Sequence, residues 1–91
     1  MNLNESLILK FIEAKLLTDK QVSTRHIVEM FGCGRQHASK MFRIYRIEWP
    51  DSIKYEPRGS GSAYEATEKF EARYLQIKPY EFLESLEKVI K

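Results

Sequence analysis

Residues 21–46, QVSTRHIVEMFGCGRQHASKMFRIYR, contain two helical patterns joined by a short turn with two glycines. Ser23 is a favoured N-cap residue and predicts that the first of these helices begins directly after it. Gly32 can take the left-handed conformation that ends many helices, and Gly34 completes the turn. The second helix is predicted over residues 35–45. Two short helices joined by such a turn form a helix-turn-helix, a motif that many DNA-binding proteins use.

The helix predicted over residues 35–45 has an apolar side and a polar, basic side. With about 100° between successive residues, the apolar side comprises Ala38, Met41, Phe42 and Tyr45. The opposite side comprises Gln36, Lys40 and Arg43, with Ser39 and His37 on the flanks between the two. We therefore expect the apolar stripe to pack inward and the polar face to be free for a partner.

The chain has 91 residues and a net charge of +2, but its positive charge is concentrated on this segment. Residues 20–46 carry six basic side chains and one acid, Glu29, for a net charge of +5, whereas residues 1–19 and 47–91 carry −1 and −2. Contacts with DNA phosphates require such a basic surface. The alternative is a basic face that is merely solvated, and the coincidence of charge with motif favours DNA.

Base contacts are expected from the start of the second helix, because that end points into the major groove in helix-turn-helix proteins. Arg35 and Gln36 lie there, and Ser39 and Lys40 follow one turn later. Arg can donate two hydrogen bonds to guanine, and Gln can pair with adenine in the same way. His37 is either a further base contact or a half-buried polar residue.

Phosphate contacts are expected from basic and hydroxyl side chains outside the base-reading positions. Arg43 lies near the end of the second helix and Arg46 directly after its predicted end, and Thr24 and Arg25 begin the first helix. For Arg25, a solvated surface position is the alternative.

A β-hairpin is predicted over residues 53–67, where apolar and polar residues alternate around a turn rich in Pro, Gly and Ser. A hairpin directly after a recognition helix is a wing. Arg58 at its tip is a candidate contact to a phosphate or to the minor groove.

Helices are also predicted near both ends of the chain. The first is expected to begin at Asn4, a good N-cap residue, and Pro79 suits the first position of the last one. The apolar stripe of the last helix comprises Phe82, Leu83, Leu86, Val89 and Ile90. This stripe is a candidate dimer interface, and the alternative is packing onto its own domain. The predicted fold is therefore mainly α with a small β-hairpin: a winged helix-turn-helix at residues 1–78 and a C-terminal helix at residues 79–91.

Catalytic or metal-binding groups are few. Cys33, His26 and His37 are the plausible nucleophile, base or soft metal ligands, and a structural zinc site needs four ligands. No Cys–His–acid pattern suggests nucleophilic catalysis, so neither enzymatic activity nor a cofactor is predicted. Met1 is followed by no basic segment and no long apolar run, which predicts neither signal peptide nor membrane span. The cytoplasm is the expected location, and a single cysteine fits it.

Two runs of residues resemble a known family. FGCGRQHAS at 31–39 resembles the FG-x-S-R-x-x-A-S signature of winged helix-turn-helix regulators, with Gly34 in place of the usual Ser. The pattern KY…AY.AT..F..RYL within residues 54–75 is similar to the segment that follows this motif in WYL-domain transcriptional regulators, which include repressors associated with phage-defence islands. The resemblance covers roughly residues 5–90 and implies a dimeric DNA-binding regulator, usually a repressor.

The WYL sensor domain of those regulators is absent from these 91 residues, so ligand sensing is not carried over. The chain is either a stand-alone winged helix or the N-terminal part of a longer regulator.

The sequence thus predicts a sequence-specific regulator of transcription that binds double-stranded DNA as a homodimer, with repression favoured. No membrane or small-molecule partner is predicted. Within DNA binding, the alternative is an architectural factor or excisionase of a mobile element. From another class, the alternative is a protein-interaction module, against which the basic face of the second helix argues.

Overall fold

The computed structural model describes residues 2–58 and 61–90, without the side chains of residues 58, 61, 62 and 90. In chain order the elements are α1 (Leu3–Asp19), β1 (Gln21–Val22), α2 (Thr24–Phe31), α3 (Arg35–Glu48), β2 (Ile53–Arg58), β3 (Gly61–Ala66) and α4 (Pro79–Ile90). Helices α2 and α3 form the helix-turn-helix and strands β2 and β3 form the wing, which confirms the predicted fold. Two candidate functional side chains, those of Arg58 and Ile90, lie outside the described residues.

Helix α1 begins earlier than predicted, because Asn2 rather than Asn4 is its N-cap. Oδ1 of Asn2 accepts a hydrogen bond from the backbone N–H of Glu5 at 2.8 Å. Asn4 therefore lies inside the first turn. Glu5 occupies the third helical position, where the positive end of the helix dipole favours a carboxylate.

The turn between α2 and α3 forms as predicted, and α3 is longer than predicted. Gly32 ends α2 in the left-handed conformation with φ 67°, and its N–H donates to the carbonyl of Val28 at 2.8 Å. Helix α3 continues to Glu48, three residues beyond the expected end. Pro50 restricts the backbone of the residue before it, so Trp49 leaves the helical conformation and the helix ends there.

The wing belongs to a three-stranded antiparallel sheet with the strand order β1-β3-β2. In β1, Gln21 pairs with Glu65 and Val22 with Tyr64. This short strand was not predicted, since two residues carry no periodicity. It attaches the wing to the chain just before the helix-turn-helix.

The core lies between the inner faces of α1 and α3 and extends to α4. It includes Ile8, Leu9, Ile12, Leu16, Ala38, Met41, Phe42 and Tyr45. Phe82 and Leu86 of α4 are 7% and 4% exposed and pack in the same core. These two side chains of the apolar stripe on α4 therefore pack onto their own domain, which was the alternative to a dimer interface.

The segment between β3 and α4 is irregular, and one buried carboxylate holds it on α1. Glu13 is fully buried and accepts hydrogen bonds from the backbone N–H groups of Arg73, Tyr74 and Leu75, each at 2.8 Å. Three backbone donors that would otherwise lack a partner are thus satisfied by a single side chain.

Candidate nucleic-acid interface

Helix α3 presents the polar face that its sequence predicts. The side chains of Arg35, Gln36, Ser39, Lys40, Arg43 and Arg46 are all exposed, whereas His37 is half-buried. The four apolar residues of the opposite side are fully buried. Burial of that stripe fixes the rotation of α3 about its axis, so the basic side chains face outward together.

The start of α3 is open to a partner. Gly34 is the N-cap with φ −78° and ψ 161°, and it provides no side-chain hydrogen bond to the helix. The first N–H groups of a helix carry partial positive charge and attract anions. Arg35 and Gln36 beside them have no side-chain hydrogen bond or ion pair within residues 2–58 and 61–90.

A groove of about 470 Å³ separates the C-terminal half of α3 from the wing. Its lining is Ser39, Arg43, Arg46, Ile47, Pro50 and Tyr64. Two guanidinium groups lie along one wall, one turn apart on α3. The groove between α3 and the wing is thus a basic channel whose charge suits a negatively charged backbone.

Tyr64 on β3 holds the wing against α3. Its ring stacks on that of Phe42, with 4.2 Å between the ring centres and 19° between the planes. The guanidinium carbon of Arg46 lies 5.8 Å from the centre of the Tyr64 ring, within cation–π range. Tyr64 therefore links the wing to the buried side of α3 through Phe42 and to its basic face through Arg46.

Lys40 is paired with an acid of α1. Its Nζ lies 3.3 Å from Oε2 of Glu5. The hydrogen bond from Lys40 lowers the pKa of the Glu5 carboxyl below its ordinary value. Among the predicted base-contacting residues, Lys40 thus has a positive charge that is partly balanced by an acid of the same protein.

The start of α2 is tightly capped. The Oγ of Ser23 accepts from the N–H of His26 at 3.3 Å, and Nδ1 of His26 accepts from the N–H of Ser23 at 3.1 Å. This reciprocal pair is a capping box with histidine in the usual place of Glu or Gln. Burial is the main cause that lowers the pKa of His26. His26 therefore has a structural task at this helix start.

The predicted phosphate anchors on α2 differ in exposure. Thr24 is half-buried directly after the cap. Arg25 is 83% exposed at its side chain and bonds Glu29 on the same helix, with Nε 2.8 Å from Oε1. An exposed pair of this kind contributes little to stability, so Arg25 can exchange Glu29 for a phosphate.

No group of three or more His, Cys, Asp or Glu side chains suited to a metal ion occurs in the described part of the chain. Cys33, one of the candidate ligands, is half-buried in the turn beside the core. None of the described helices is both long and apolar enough to span a membrane.

The sequence model of one protein family, the BrxR transcriptional regulator winged helix-turn-helix domain, matches residues 4–88. The chain belongs to this family. Membership places it among transcription regulators that bind DNA. No curated protein matches the chain.

In this BrxR-family domain, two residues that contact the candidate interface could not be identified from the sequence alone. Glu5 looks like an ordinary acid in a first helical turn, and Tyr64 looks like one aromatic of a hairpin. Glu5 reaches Lys40 across 35 residues of sequence, and Tyr64 reaches Phe42 across the domain. Alternation in the hairpin places Tyr64 on one face of the wing, but nothing local shows that α3 covers that face.

Proposed function

We propose that this BrxR-family domain is a sequence-specific repressor that binds double-stranded DNA as a homodimer, with the cytoplasm as its place of action. The observation that carries the proposal is the outward face of α3, where exposed hydrogen-bonding and cationic side chains stand opposite a fully buried stripe. An α-helix fits the major groove, and the donors on this face match base edges.

In the proposed complex, the first turns of α3 read bases. Arg35, Gln36 and Ser39 are exposed at that end, and Arg35 and Gln36 are not engaged within the described residues. Arg35 would pair with guanine and Gln36 with adenine, the two bidentate contacts that their geometry allows. His37 lies half-buried beside them and is the remaining candidate for a base contact at this end.

The groove between α3 and the wing would hold the phosphate backbone. Arg43 and Arg46 are exposed on the α3 side, and Tyr64 closes the groove on the wing side. Contacts of this kind position the protein without reading sequence. Thr24 and Arg25 at the start of α2, and Arg58 on β2, would add further backbone contacts.

The energetics of recognition support a homodimer, because one such module buries little DNA surface and two modules read two half-sites. On α4, Phe82 and Leu86 hold the helix on α1, so a dimer through this helix would use half-buried Leu83 and Val89, which is 80% exposed.

The test is selection of bound duplexes from a random pool, followed by gel-shift titration of the winning sequence. A repeated half-site with tight binding relative to a scrambled duplex supports the proposal. Absence of binding to any duplex at low salt would refute it. Repression is tested separately by placing the selected site within a reporter promoter, where binding must lower transcription.

A further inference from the structure

Lys40 differs from the other cations of α3 in being engaged by an acid. Within the described residues, Arg35, Arg43 and Arg46 have no acidic partner, whereas Nζ of Lys40 lies 3.3 Å from Oε2 of Glu5. Lys40 lies one helical turn after Gln36, on the proposed base-reading side. Its side chain is 51% exposed, so it remains accessible from outside while it is held.

Glu5 is a firm partner. Its side chain is only 14% exposed, and its backbone N–H is anchored by Asn2 at 2.8 Å. It lies in the first turn of α1, where the helix dipole favours negative charge. The pKa of its carboxyl is lowered, first by the hydrogen bond from Lys40, so Glu5 is ionised at neutral pH. The mobile member of the pair is therefore the lysine.

A lysine without such a partner is a compact charge on a flexible stem, and it can reach any nearby phosphate. Each phosphate contact raises affinity for all sequences alike and adds about 0.9 to the slope of log K against log salt. Specificity is a difference of affinities, so a contact that strengthens every complex equally does not improve it.

We propose that Glu5 is a specificity-determining residue of the DNA-binding face, which holds the Lys40 ammonium toward the acceptor edge of a guanine and away from the phosphate backbone. This inference rests on the proposed function and deepens it. The Glu5 carboxylate acts as a positioning group through Lys40, and its negative charge beside the interface weakens complexes in which the ammonium has left for a phosphate.

The experiment compares wild type with Glu5→Gln, Lys40→Gln and the double variant. Dissociation constants are measured for the selected duplex and a scrambled duplex over a series of KCl concentrations. In Glu5→Gln the released lysine gains a phosphate, so the salt slope on scrambled DNA becomes steeper by about 0.9. The ratio of specific to non-specific affinity falls by about fivefold or more, the lower end of what one base contact contributes.

The double variant shows whether the effect of Glu5 on specificity depends on Lys40. If Glu5 acts through Lys40, Glu5→Gln has no further effect on the specificity ratio once Lys40→Gln is present. Lys40→Gln itself lowers affinity for the selected duplex and leaves the salt slope on scrambled DNA unchanged. A flatter slope in Lys40→Gln would mean that the lysine already contacts phosphate, which overturns the proposal.

Two further variants separate the effect of where the Glu5 carboxylate lies from the effect of the protein's net charge. Glu84→Gln on α4 removes an acid from an exposed ion pair with Lys88 and makes the same change in net charge. Equal slopes and ratios in Glu84→Gln and Glu5→Gln would overturn the inference. Glu5→Asp keeps the charge but shortens the reach to Lys40, so its specificity ratio should fall from the wild-type value toward that of Glu5→Gln, and wild-type behaviour would contradict positioning.

Failure of the inference and failure of the proposed function are distinguishable. Wild-type protein that binds no duplex at low salt refutes the function. Wild-type protein that binds selectively, with a Glu5→Gln variant equal to the Glu84→Gln control, refutes only the role of Glu5. Fluorescence of Trp49, the single tryptophan, verifies the fold of every variant.

Discussion

The hydroxyl of Tyr45 on α3 donates a hydrogen bond to Oε2 of Glu13 on α1, at 2.9 Å inside the core. The same carboxylate accepts three backbone N–H groups from residues 73–75. Burial, and then the charge of Glu13, raises the pKa of the Tyr45 hydroxyl, which therefore stays a donor. Helix α3, helix α1 and the segment before α4 thus meet at one carboxylate.

Glu13→Gln should be strongly destabilising. Each carboxylate oxygen accepts two of the four hydrogen bonds. The amide nitrogen of Gln cannot accept, so two donors lose their partner and the charge that strengthened the other two bonds is gone. We expect a loss of about 3 kcal/mol or more in the free energy of unfolding. Tyr45→Phe removes one donor and leaves the three backbone bonds, so its cost should be about 1–2 kcal/mol. Urea unfolding followed by Trp49 fluorescence measures both, and equal losses would contradict the ranking.

Gly34→Ser should stabilise the start of α3. The backbone at Gly34 is extended, and a Cβ there would meet no atom within 4 Å. A serine hydroxyl can accept from the helix N–H groups that lack a side-chain cap, for a gain of about 0.3 kcal/mol and about 1–2 °C in Tm. Gly32→Ala is the matched contrast: its φ of 67° strains any L side chain and should cost about 1–2 kcal/mol. Thermal unfolding of both variants tests this, and a destabilised Gly34→Ser protein would contradict the described cap.

Stability should fall in mild acid through His26. Its pKa is lowered in the folded state, so the unfolded chain takes up a proton first as pH falls. The stability from neutral His26 is complete above pH 6.5, its ordinary value, and is lost progressively below it, toward the folded-state pKa. Protonation at Nδ1 would also remove the acceptor for Ser23.

His26→Gln is the control for this acid effect. Gln at the same position completes a capping box and does not titrate. Between about pH 7.5 and pH 5.5, the Tm of wild type should fall more than that of His26→Gln. Glu5 and Asp19 also have lowered pKa values, but both titrate at lower pH and are present in both proteins. If the Tm values of the two proteins fall equally with pH, the acid sensitivity does not come from His26.

Arg35→Ala and Arg43→Ala should weaken DNA binding in different ways. Arg35→Ala should cost about 1–3 kcal/mol on the selected duplex and relax preference at one base pair. Arg43→Ala should weaken all duplexes alike and flatten the salt slope by about 0.9, because it removes a phosphate contact. Binding to single-base variants of the site at several salt concentrations separates the two. A change of base preference in Arg43→Ala would contradict the proposed orientation of α3.

Val89→Glu should disrupt a dimer formed through α4 without unfolding the domain. Val89 is 80% exposed, whereas Leu86 is 4% exposed and lies in the core. A charge at Leu86 would therefore destabilise the domain and leave any loss of dimer ambiguous. Sedimentation should show a shift toward monomer in Val89→Glu but not in Gln76→Glu, an equal charge change at an exposed position before α4. A dimer that survives Val89→Glu would place the interface elsewhere.

The local elements were largely predictable because their signals are local. Ser23, Gly32 and Pro79 mark helix ends through backbone preferences of single residues, and the spacing of Ala38 to Tyr45 follows the 3.6-residue period. The errors were also local. At α1, Asn2 and Asn4 are both suitable N-cap residues, and the structure uses Asn2. At α3, Pro50 restricts only Trp49, so the helix continues to Glu48.

The contacts between elements depended on tertiary structure. An apolar stripe on α4 requires a cover, but periodicity does not say whether α1 or a second copy provides it. Strand β1 exists only through its pairing with β3. Glu5 meets Lys40 from 35 residues away, and Glu13 meets its backbone donors from about 60 residues away. Sequence spacing along one element reveals the face of a helix, whereas the partner of each face is decided when the chain brings distant segments together in a shared core.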